Sequence, residues 1–110
     1  MAYERLVVVG NIGAMDIETS NAGSKYVRMS VAVNRGHGAS KSVVWYNVLL
    51  FGAMVKDDVK LKTIYTKGRQ VLVEGRPQVE AYLKKDGTPA LDNTIVATSM
   101  PELLDSRPPV

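Results

Sequence analysis

The stretch SVVWYNVLLFG, from Ser42 to Gly52, decides the fold of this chain. In a β-strand, successive side chains point to opposite faces. One face of this stretch forms a candidate core stripe: Val44, Tyr46, Val48 and Leu50. The other face holds Val43, Trp45, Asn47, Leu49 and Phe51, including the only Trp and the only Phe of the chain. A second apolar face is unusual for a surface strand. It is either covered by other elements, buried in a subunit interface or exposed to a ligand.

Further strands are predicted on both sides of this stretch. Residues 25–34, KYVRMSVAVN, alternate with period two and place Val27, Met29, Val31 and Val33 on one face. Residues 5–12 are rich in β-branched side chains, and Gly10 and Gly13 predict a bulge or bend. The runs RQVLVEGRPQVEAYLKK and TPALDNTIVATSM are predicted to form a hairpin, because Asp-Gly at positions 86 and 87 is a strong turn signal.

One helix is predicted between the third strand and this hairpin. Val55, Val59 and Ile64 lie near helical spacing, and Gly68 is a suitable helix stop. The order of three strands, a helix and a hairpin predicts an all-β protein with one helix, a five-stranded Greek-key barrel of the OB type. An SH3-like or split barrel is the alternative, although it normally lacks a helix at that position. We expect residues 1–104 to form the domain and residues 105–110 a short C-terminal tail, since PELLDSRPPV shows no periodicity.

The composition gives little support for an enzyme or a metalloprotein. The chain of 110 residues contains no cysteine and one histidine, so thiolate sites and histidine pairs are excluded. We expect neither catalysis nor a cofactor nor a bound metal. The N-terminus, MAYERLVVVGNIG, resembles neither a signal peptide nor a membrane span. The sequence therefore predicts a soluble protein without membrane contact, located in the cytoplasm.

The charge distribution favours a polyanionic partner. Twelve Lys and Arg face four Asp and Glu between Lys25 and Lys85, a net charge of +8, whereas both ends of the chain are acidic. Single-stranded nucleic acid requires aromatic side chains for its bases and cations for its backbone. Trp45 and Phe51 share one strand face about 20 Å apart, which suits two separate stacking positions. Tyr26 lies on the outward face of the preceding strand, and Tyr82 lies near the end of the predicted hairpin.

Five segments between Tyr3 and Leu104 resemble the bacterial single-stranded DNA-binding protein family: VVVGNIG, YVRMSVAVNR, VVWYNVLLFG, YTKGRQVLVEGR and AYLKKDGTP. The fourth segment is the most specific. It is similar to a family pattern, Y-x-x-K-G-x-x-V-x-V-E-G-R, that ends the helix and begins the fourth strand. The resemblance implies an OB fold, usually in a homotetramer, that wraps single-stranded DNA without sequence preference. Trp45, Phe51 and Tyr82 match positions at which the family stacks bases.

The resulting prediction is sequence-nonspecific binding and protection of single-stranded DNA in replication, recombination or repair. The predicted stacking residues are Trp45, Phe51, Tyr82 and Tyr26, and the predicted phosphate contacts are Arg28, Arg35, Lys41, Arg76, Lys84 and Lys85. We expect a homotetramer or a homodimer, joined partly through the first strand. The alternative is an OB-fold accessory or interaction subunit with weak nucleic-acid binding, in which the aromatic face is mainly an interface. RNA binding is a third reading.

Three departures from the family pattern modify this prediction. Gln78 and Glu80 stand where the family commonly has basic residues, so that side of the groove should bind more weakly. Pro77 lacks a backbone donor and predicts a bulge or an edge. The chain ends in LLDSRPPV without the long acidic-tipped tail of most bacterial members. Either that tail has been removed, or the chain is a phage, plasmid or accessory member. We therefore expect no tail-mediated recruitment of repair enzymes, and a location at the nucleoid or in the cytoplasm of a phage host.

Overall fold

The fold is a closed β-barrel with one short helix. The structure is a computed structural model that describes residues 4–36 and 38–104, without the side chains of residues 79–82 and 91. Its strands are β1 (Leu6–Thr19), β2 (Lys25–Arg35), β3 (Ser42–Phe51), β4 (Gln70–Leu83), β5 (Pro89–Ala97) and β6 (Glu102–Leu103). The helix α1 (Asp58–Ile64) lies between β3 and β4, and short 3-10 turns cover Gly38–Ser40 and Gly52–Val55.

Pairing of the first strand with the fourth closes the barrel. The strands follow the order β1-β2-β3-β5-β4, and β4 returns to pair antiparallel with the first half of β1. The contact between β3 and β5 is parallel, and α1 and β4 form the crossover that connects these two strands. This topology, with the helix between the third and fourth strands, confirms the predicted OB-type barrel.

The barrel interior is filled by the inward faces of the strands. On β2 and β3 the fully buried side chains lie at the predicted period-two positions: Val27, Met29, Val31, Val48 and Leu50. The inward faces of the later strands add Val71 and Val73 on β4 and Ile95 on β5. Burial of each such aliphatic side chain contributes about 1.5–3 kcal/mol relative to its exposure. The prediction of one core stripe on β3 is confirmed.

The first strand is longer than predicted because it changes partners halfway along. Residues 6–11 pair with β4, residues 11–19 pair with β2, and the register shifts between Ile12 and Ala14. Gly13 lies in this shift, so the predicted bulge is confirmed there. Past the bulge, the ladder to β2 continues to Thr19 opposite Lys25. The bulge turns the strand from one neighbour to the other without ending it.

The helix is shorter than the predicted pattern, and one of its predicted apolar positions is wrong. Asp57 caps α1, because its side chain accepts a hydrogen bond from the backbone nitrogen of Lys60 at 3.0 Å. Leu61 is the buried side chain of the helix, whereas Val59 is 76% exposed. The first part of the predicted helix forms a 3-10 turn instead, which places Val55 in the core.

Pro77 lies at an edge, as predicted. Beyond Gly75, β4 pairs with β5 on one side, and no described strand pairs with it on the other. The backbone nitrogen of Thr98 donates to the carbonyl of Glu74 at 3.1 Å. Hydrogen-bonded pairs alternate along an antiparallel ladder, so the nitrogen of Pro77 faces away from β5. Its missing donor therefore costs the ladder no hydrogen bond.

The chain after β5 packs onto the barrel through a sixth strand that the sequence pattern does not predict. Pro101 is buried, and its carbonyl accepts a hydrogen bond from the hydroxyl of Tyr65 at 2.8 Å. Residues 102 and 103 then pair with β4. Burial raises the pKa of Tyr65 above its ordinary value. The predicted tail, residues 105–110, lies outside the described residues.

Candidate nucleic-acid interface

The second face of β3 is open to solvent in the described chain. Trp45 is 54% exposed and Phe51 is 43% exposed, whereas Tyr46 between them is buried. No described element of this chain covers both faces of the strand, so the reading of Trp45 as a core residue is wrong for the single chain. An interface with a partner or a ligand is the remaining explanation for an apolar face of this kind.

Phe51 and Tyr26 form one continuous aromatic surface. The two residues are direct cross-strand partners on β3 and β2. Their ring centroids lie 5.7 Å apart at an interplanar angle of 27°, which is a stacked arrangement. Because Phe51 keeps much of its ring exposed, a planar ligand can extend this stack.

Glu18 holds the hydroxyl end of Tyr26. The two residues are opposite each other on β1 and β2, and the Tyr26 hydroxyl donates to Oε2 of Glu18 at 2.5 Å. This hydrogen bond, with smaller contributions from desolvation and from the negative charge of Glu18, raises the pKa of Tyr26 above its ordinary value. Sequence analysis missed Glu18, since the contact depends on the register of β1 and β2 across the turn.

The indole of Trp45 lies against a glycine on β1. A Cβ added to Gly13 would lie only 2.5 Å from Cζ3 of the indole and 3.0 Å from Oγ of Ser30. The absence of a side chain at the β1 bulge therefore makes room for the ring. One part of the indole is seated on the barrel, and the rest stays available for stacking.

A polar groove of about 570 Å³ adjoins the aromatic pair on the outward face of β3, β4 and β5. It is lined by Tyr26 and Phe51, by Leu49, by the cation Arg28 and by the polar side chains Thr19, Ser20, Asn21, Asn47, Gln78, Asp92 and Thr94. The groove therefore joins apolar ring surface and hydrogen-bonding groups with one cation, Arg28, and one carboxylate, Asp92. Sequence analysis did not single out Asp92 and Thr94, whose placement depends on the parallel pairing of β5 with β3.

Four of the six predicted phosphate contacts lie on this face or in the turn between β4 and β5. Arg28 is exposed in the groove, directly opposite Leu49. Arg76 lies two residues before Gln78 on β4 and so shares its side of the strand. Lys84 and Lys85 are exposed in the turn between β4 and β5, where the backbone nitrogen of Gly87 donates to the carbonyl of Lys84 at 2.8 Å.

Two further cations lie at the far end of β2 and β3. Arg35 is exposed, and its guanidinium donates to the hydroxyl of Tyr46 at 3.0 Å. Lys41 is exposed immediately before β3. The structure thus brings Arg28 to the aromatic pair, whereas Arg35 shares the inward side of β2 with Val31 and lies at the end of the barrel beside Tyr46. The side chain of Tyr82 lies outside the described residues, and its backbone is opposite Ala90.

Neither a metal-binding cluster nor a membrane-spanning helix is found among the described residues. Within residues 4–36 and 38–104, no group of three or more His, Asp or Glu side chains is placed to hold a metal ion. None of the helices in the same part of the chain has the length and apolar character needed to cross a membrane.

Comparison with known proteins relates the chain to one family. The pattern of the Single-strand binding protein family matches residues 3–103, nearly the whole chain. The chain belongs to this family. The single-stranded DNA-binding protein of Helicobacter hepaticus is 28% identical over 113 residues, which cover 96% of this chain and 64% of that relative. The chain thus spans slightly less than two thirds of that relative's length.

Two solved structures share the fold of this family member. Plasmodium falciparum SSB, solved in a complex with ssDNA, superposes with a TM-score of 0.69 at 18% identity, covering 96% of this chain and 97% of that one. The small single-stranded DNA-binding protein from Streptomyces coelicolor superposes with a TM-score of 0.68 at 17% identity, covering 90% and 93% of the two chains. At these identities the likeness supports the barrel architecture alone.

Proposed function

We propose that the protein binds single-stranded DNA without recognising a sequence, as a binding protein rather than an enzyme. The observation that carries this proposal is the outward face of β3, where Trp45 and Phe51 are exposed beside a groove that contains Arg28. Every base offers a flat face to an aromatic ring, so stacking tolerates any sequence. Membership in the Single-strand binding protein family supports the same function. The cellular processes it would serve are replication, recombination and repair.

In this proposal the aromatic side chains stack bases and the cations contact phosphates. The stacking residues are Trp45, Phe51, Tyr26 and Tyr82. The phosphate contacts are Arg28, Arg35, Lys41, Arg76, Lys84 and Lys85. Base stacking contributes about 1–3 kcal/mol per base, whereas phosphate contacts contribute affinity that falls with salt. The location that follows is the compartment holding the DNA, which is the cytoplasm for a bacterial or phage protein.

The test is a titration of the protein with oligo-dT at two salt concentrations, followed through the emission of Trp45. We expect quenching on binding, because a base stacked on the indole lowers its emission. The signal can be assigned to Trp45, since it is the only tryptophan of the chain. If Z phosphates are neutralised, the slope of log affinity against log salt should be about −0.7Z. A duplex of the same length should compete poorly, since its bases are not free to stack. Equal affinity for duplex and single strand, or a slope near zero, would contradict the proposal.

We also propose that the protein assembles as a homodimer or homotetramer that is joined partly through β1. Val7 and Val9 point outward from this strand and are 47% and 41% exposed. Residues 6–10 pair with β4 on one side, and no described strand pairs with their other edge. An apolar strand with an open edge is a template for pairing with a second chain. Sedimentation should give a multiple of 12.0 kDa at micromolar concentration, and a monomer mass would contradict this assembly.

A further inference from the structure

A second groove, called the α1 groove below, lies between the helix and the chain that follows β5. Its volume is about 630 Å³. Three of its lining residues are buried in the barrel: Leu61, Tyr65 and Pro101. The other described apolar residues that line it are Ala53, Met54, Ile64, Met100 and Leu103. The groove is open to solvent, since Met100 on its wall is 42% exposed.

The α1 groove is separate from the proposed DNA-binding face. No described residue lines both grooves. The polar groove offers the exposed ring of Phe51, whereas Tyr65, the one aromatic residue among the described lining of the α1 groove, is buried. A base would therefore find no ring to stack on in the α1 groove. An apolar segment of a polypeptide fits this lining better than a nucleic acid does.

The rim of the α1 groove carries positive charge without a partner. Lys56 and Lys60 line the groove and are exposed, and no carboxylate among the described residues forms an ion pair with either ammonium group. Asp57, the third charged residue of the lining, uses Oδ1 to cap α1. Asp58 is paired with Lys25 and does not line the groove. A ligand in this groove thus meets apolar side chains beside a net positive charge.

We propose that the α1 groove docks a segment of a second protein in which apolar side chains are flanked by Asp or Glu. The apolar side chains of this segment fill the groove, and its carboxylates pair with Lys56 and Lys60. Met54 and Met100 suit this role, because the flexible thioether side chain adapts to apolar partners of different shapes. This inference goes beyond DNA binding. Since the two grooves share no described residue, the protein can hold DNA and the partner at the same time.

The test begins with a library of random dodecapeptides displayed on phage, selected against the immobilised chain of 110 residues. The enriched peptides should combine two or more Asp or Glu with apolar side chains. These peptides are then synthesised with a fluorescent label, and their binding is measured by anisotropy. Affinity should fall as salt is added, because salt screens exposed charge pairs. A selection that enriches no sequence, or enriches sequences without acidic residues, would overturn the inference.

Charge reversal tests the position of the partner. Lys56→Glu combined with Lys60→Glu should weaken peptide binding by about tenfold or more, because two attractive contacts become repulsive. Lys62→Glu combined with Lys67→Glu is the matched control, since both lysines are exposed and neither lines the groove. This control should weaken binding clearly less. Equal losses in the two double variants would overturn the inference, because net charge alone would then explain the binding.

Met100→Ser tests the apolar part of the contact without changing any charge. The substitution lies at an exposed position, so the fold should persist. Peptide binding should weaken by about fivefold, because apolar surface that the peptide covers is lost. Unchanged affinity would overturn the docking of apolar side chains in the groove.

Further outcomes identify other occupants of the α1 groove. Displacement of the peptide by oligo-dT would place it on the DNA-binding face and overturn the inference. No peptide binding, together with a lower sedimentation mass of the Lys56→Glu and Lys60→Glu protein, would assign the groove to a second copy of the chain and overturn it as well. Failure of the protein to bind oligo-dT at low salt would contradict the proposed function and leave the peptide result standing.

Discussion

Tyr26 and Phe51 stack across the ladder of β2 and β3, with ring centroids 5.7 Å apart. Two rings in this arrangement present one platform, because each ring limits the positions that the other can adopt. Trp45 lies apart from this pair, with its indole against Gly13 on β1.

The first prediction is that Tyr26 and Phe51 are coupled in DNA binding. Phe51→Ala should weaken binding of oligo-dT by about 1–3 kcal/mol, the contribution of one stacked base. Tyr26→Ala in that variant should lower the free energy of DNA binding by less than Tyr26→Ala in wild type, since the stacked pair is already lost. The measurement is a double-mutant cycle of dissociation constants. Strictly additive losses would show that each ring acts alone.

The second prediction concerns Glu18, which orients Tyr26 through its hydroxyl. Glu18→Ala removes the hydrogen bond that contributes most to the raised pKa of Tyr26, so this pKa should fall toward its ordinary value of about 10, whereas Glu18→Gln removes only the charge and should lower the pKa less. Glu18→Ala should in addition free the ring and weaken DNA binding, and Glu18→Gln should retain most of the affinity because the amide oxygen still accepts a hydrogen bond. The readout is the alkaline absorbance titration of tyrosine, with Tyr26→Phe identifying the contribution of Tyr26.

The sign of the associated pH dependence follows from the direction of the shift. A tyrosine whose pKa is higher in the folded state stabilises that state fully below its unfolded pKa. This stabilisation is lost as the pH rises through the folded pKa, when the phenolate faces Glu18. The wild-type protein should thus lose stability above about pH 10. The measurement is the free energy of unfolding of wild type and of Tyr26→Phe at several pH values. A constant difference between the two proteins through this pH range would show that Tyr26 does not cause the loss.

The third prediction separates a groove cation from a distant one. Arg28→Gln should reduce the salt slope for oligo-dT by about 0.7, the loss of one phosphate contact. Lys62→Gln removes the same charge from the exposed surface of α1, outside the lining of the groove, and should leave the slope nearly unchanged. The same decrease in both variants would mean that net charge, and not the position of Arg28, determines the salt dependence.

The fourth prediction concerns stability. Tyr65→Phe removes the hydroxyl that donates to the carbonyl of Pro101 and leaves that buried acceptor without this partner. The free energy of unfolding should fall by about 1–3 kcal/mol, with little change in DNA affinity. Denaturant unfolding provides the measurement. Thr63→Val, on the exposed part of α1, is the control, and it should lower the free energy of unfolding by clearly less than Tyr65→Phe does.

Much of the fold follows from local patterns, and the exceptions have a common cause. The alternation in β2 and β3 is local, so the buried faces of Val27, Met29, Val48 and Leu50 could be predicted from the sequence. The extension of β1 depends instead on pairing with β2. The short strand β6 depends on the docking of Pro101 by Tyr65, 36 residues earlier in the chain. Neither feature has a signal in its own segment.

The candidate site divides in the same way. Exposure of Trp45 and Phe51 follows from their position on the second face of a strand whose first face is the core. The hydrogen bond from Asn47 to Asp92 spans 45 residues and depends on a parallel pairing that no local pattern specifies. Sequence reasoning therefore identifies the aromatic residues, but not the acidic residues that orient a ring or line the groove.

The last prediction uses Gly13 to test the seat of Trp45. A Cβ at this position would lie 2.5 Å from the indole, so Gly13→Ala must displace the ring or the strand beneath it. We expect a change in Trp45 emission in the free protein, weaker binding of oligo-dT and less quenching when it binds.

Trp45→Ala should weaken binding by about 1–3 kcal/mol and leave stability nearly intact, because a half-exposed ring leaves no core cavity. Ala14→Ser, at the exposed neighbouring position on β1, is the control and should alter neither signal. Unchanged emission on DNA saturation in wild type, or a Trp45→Ala variant with normal affinity, would show that the indole does not contact DNA.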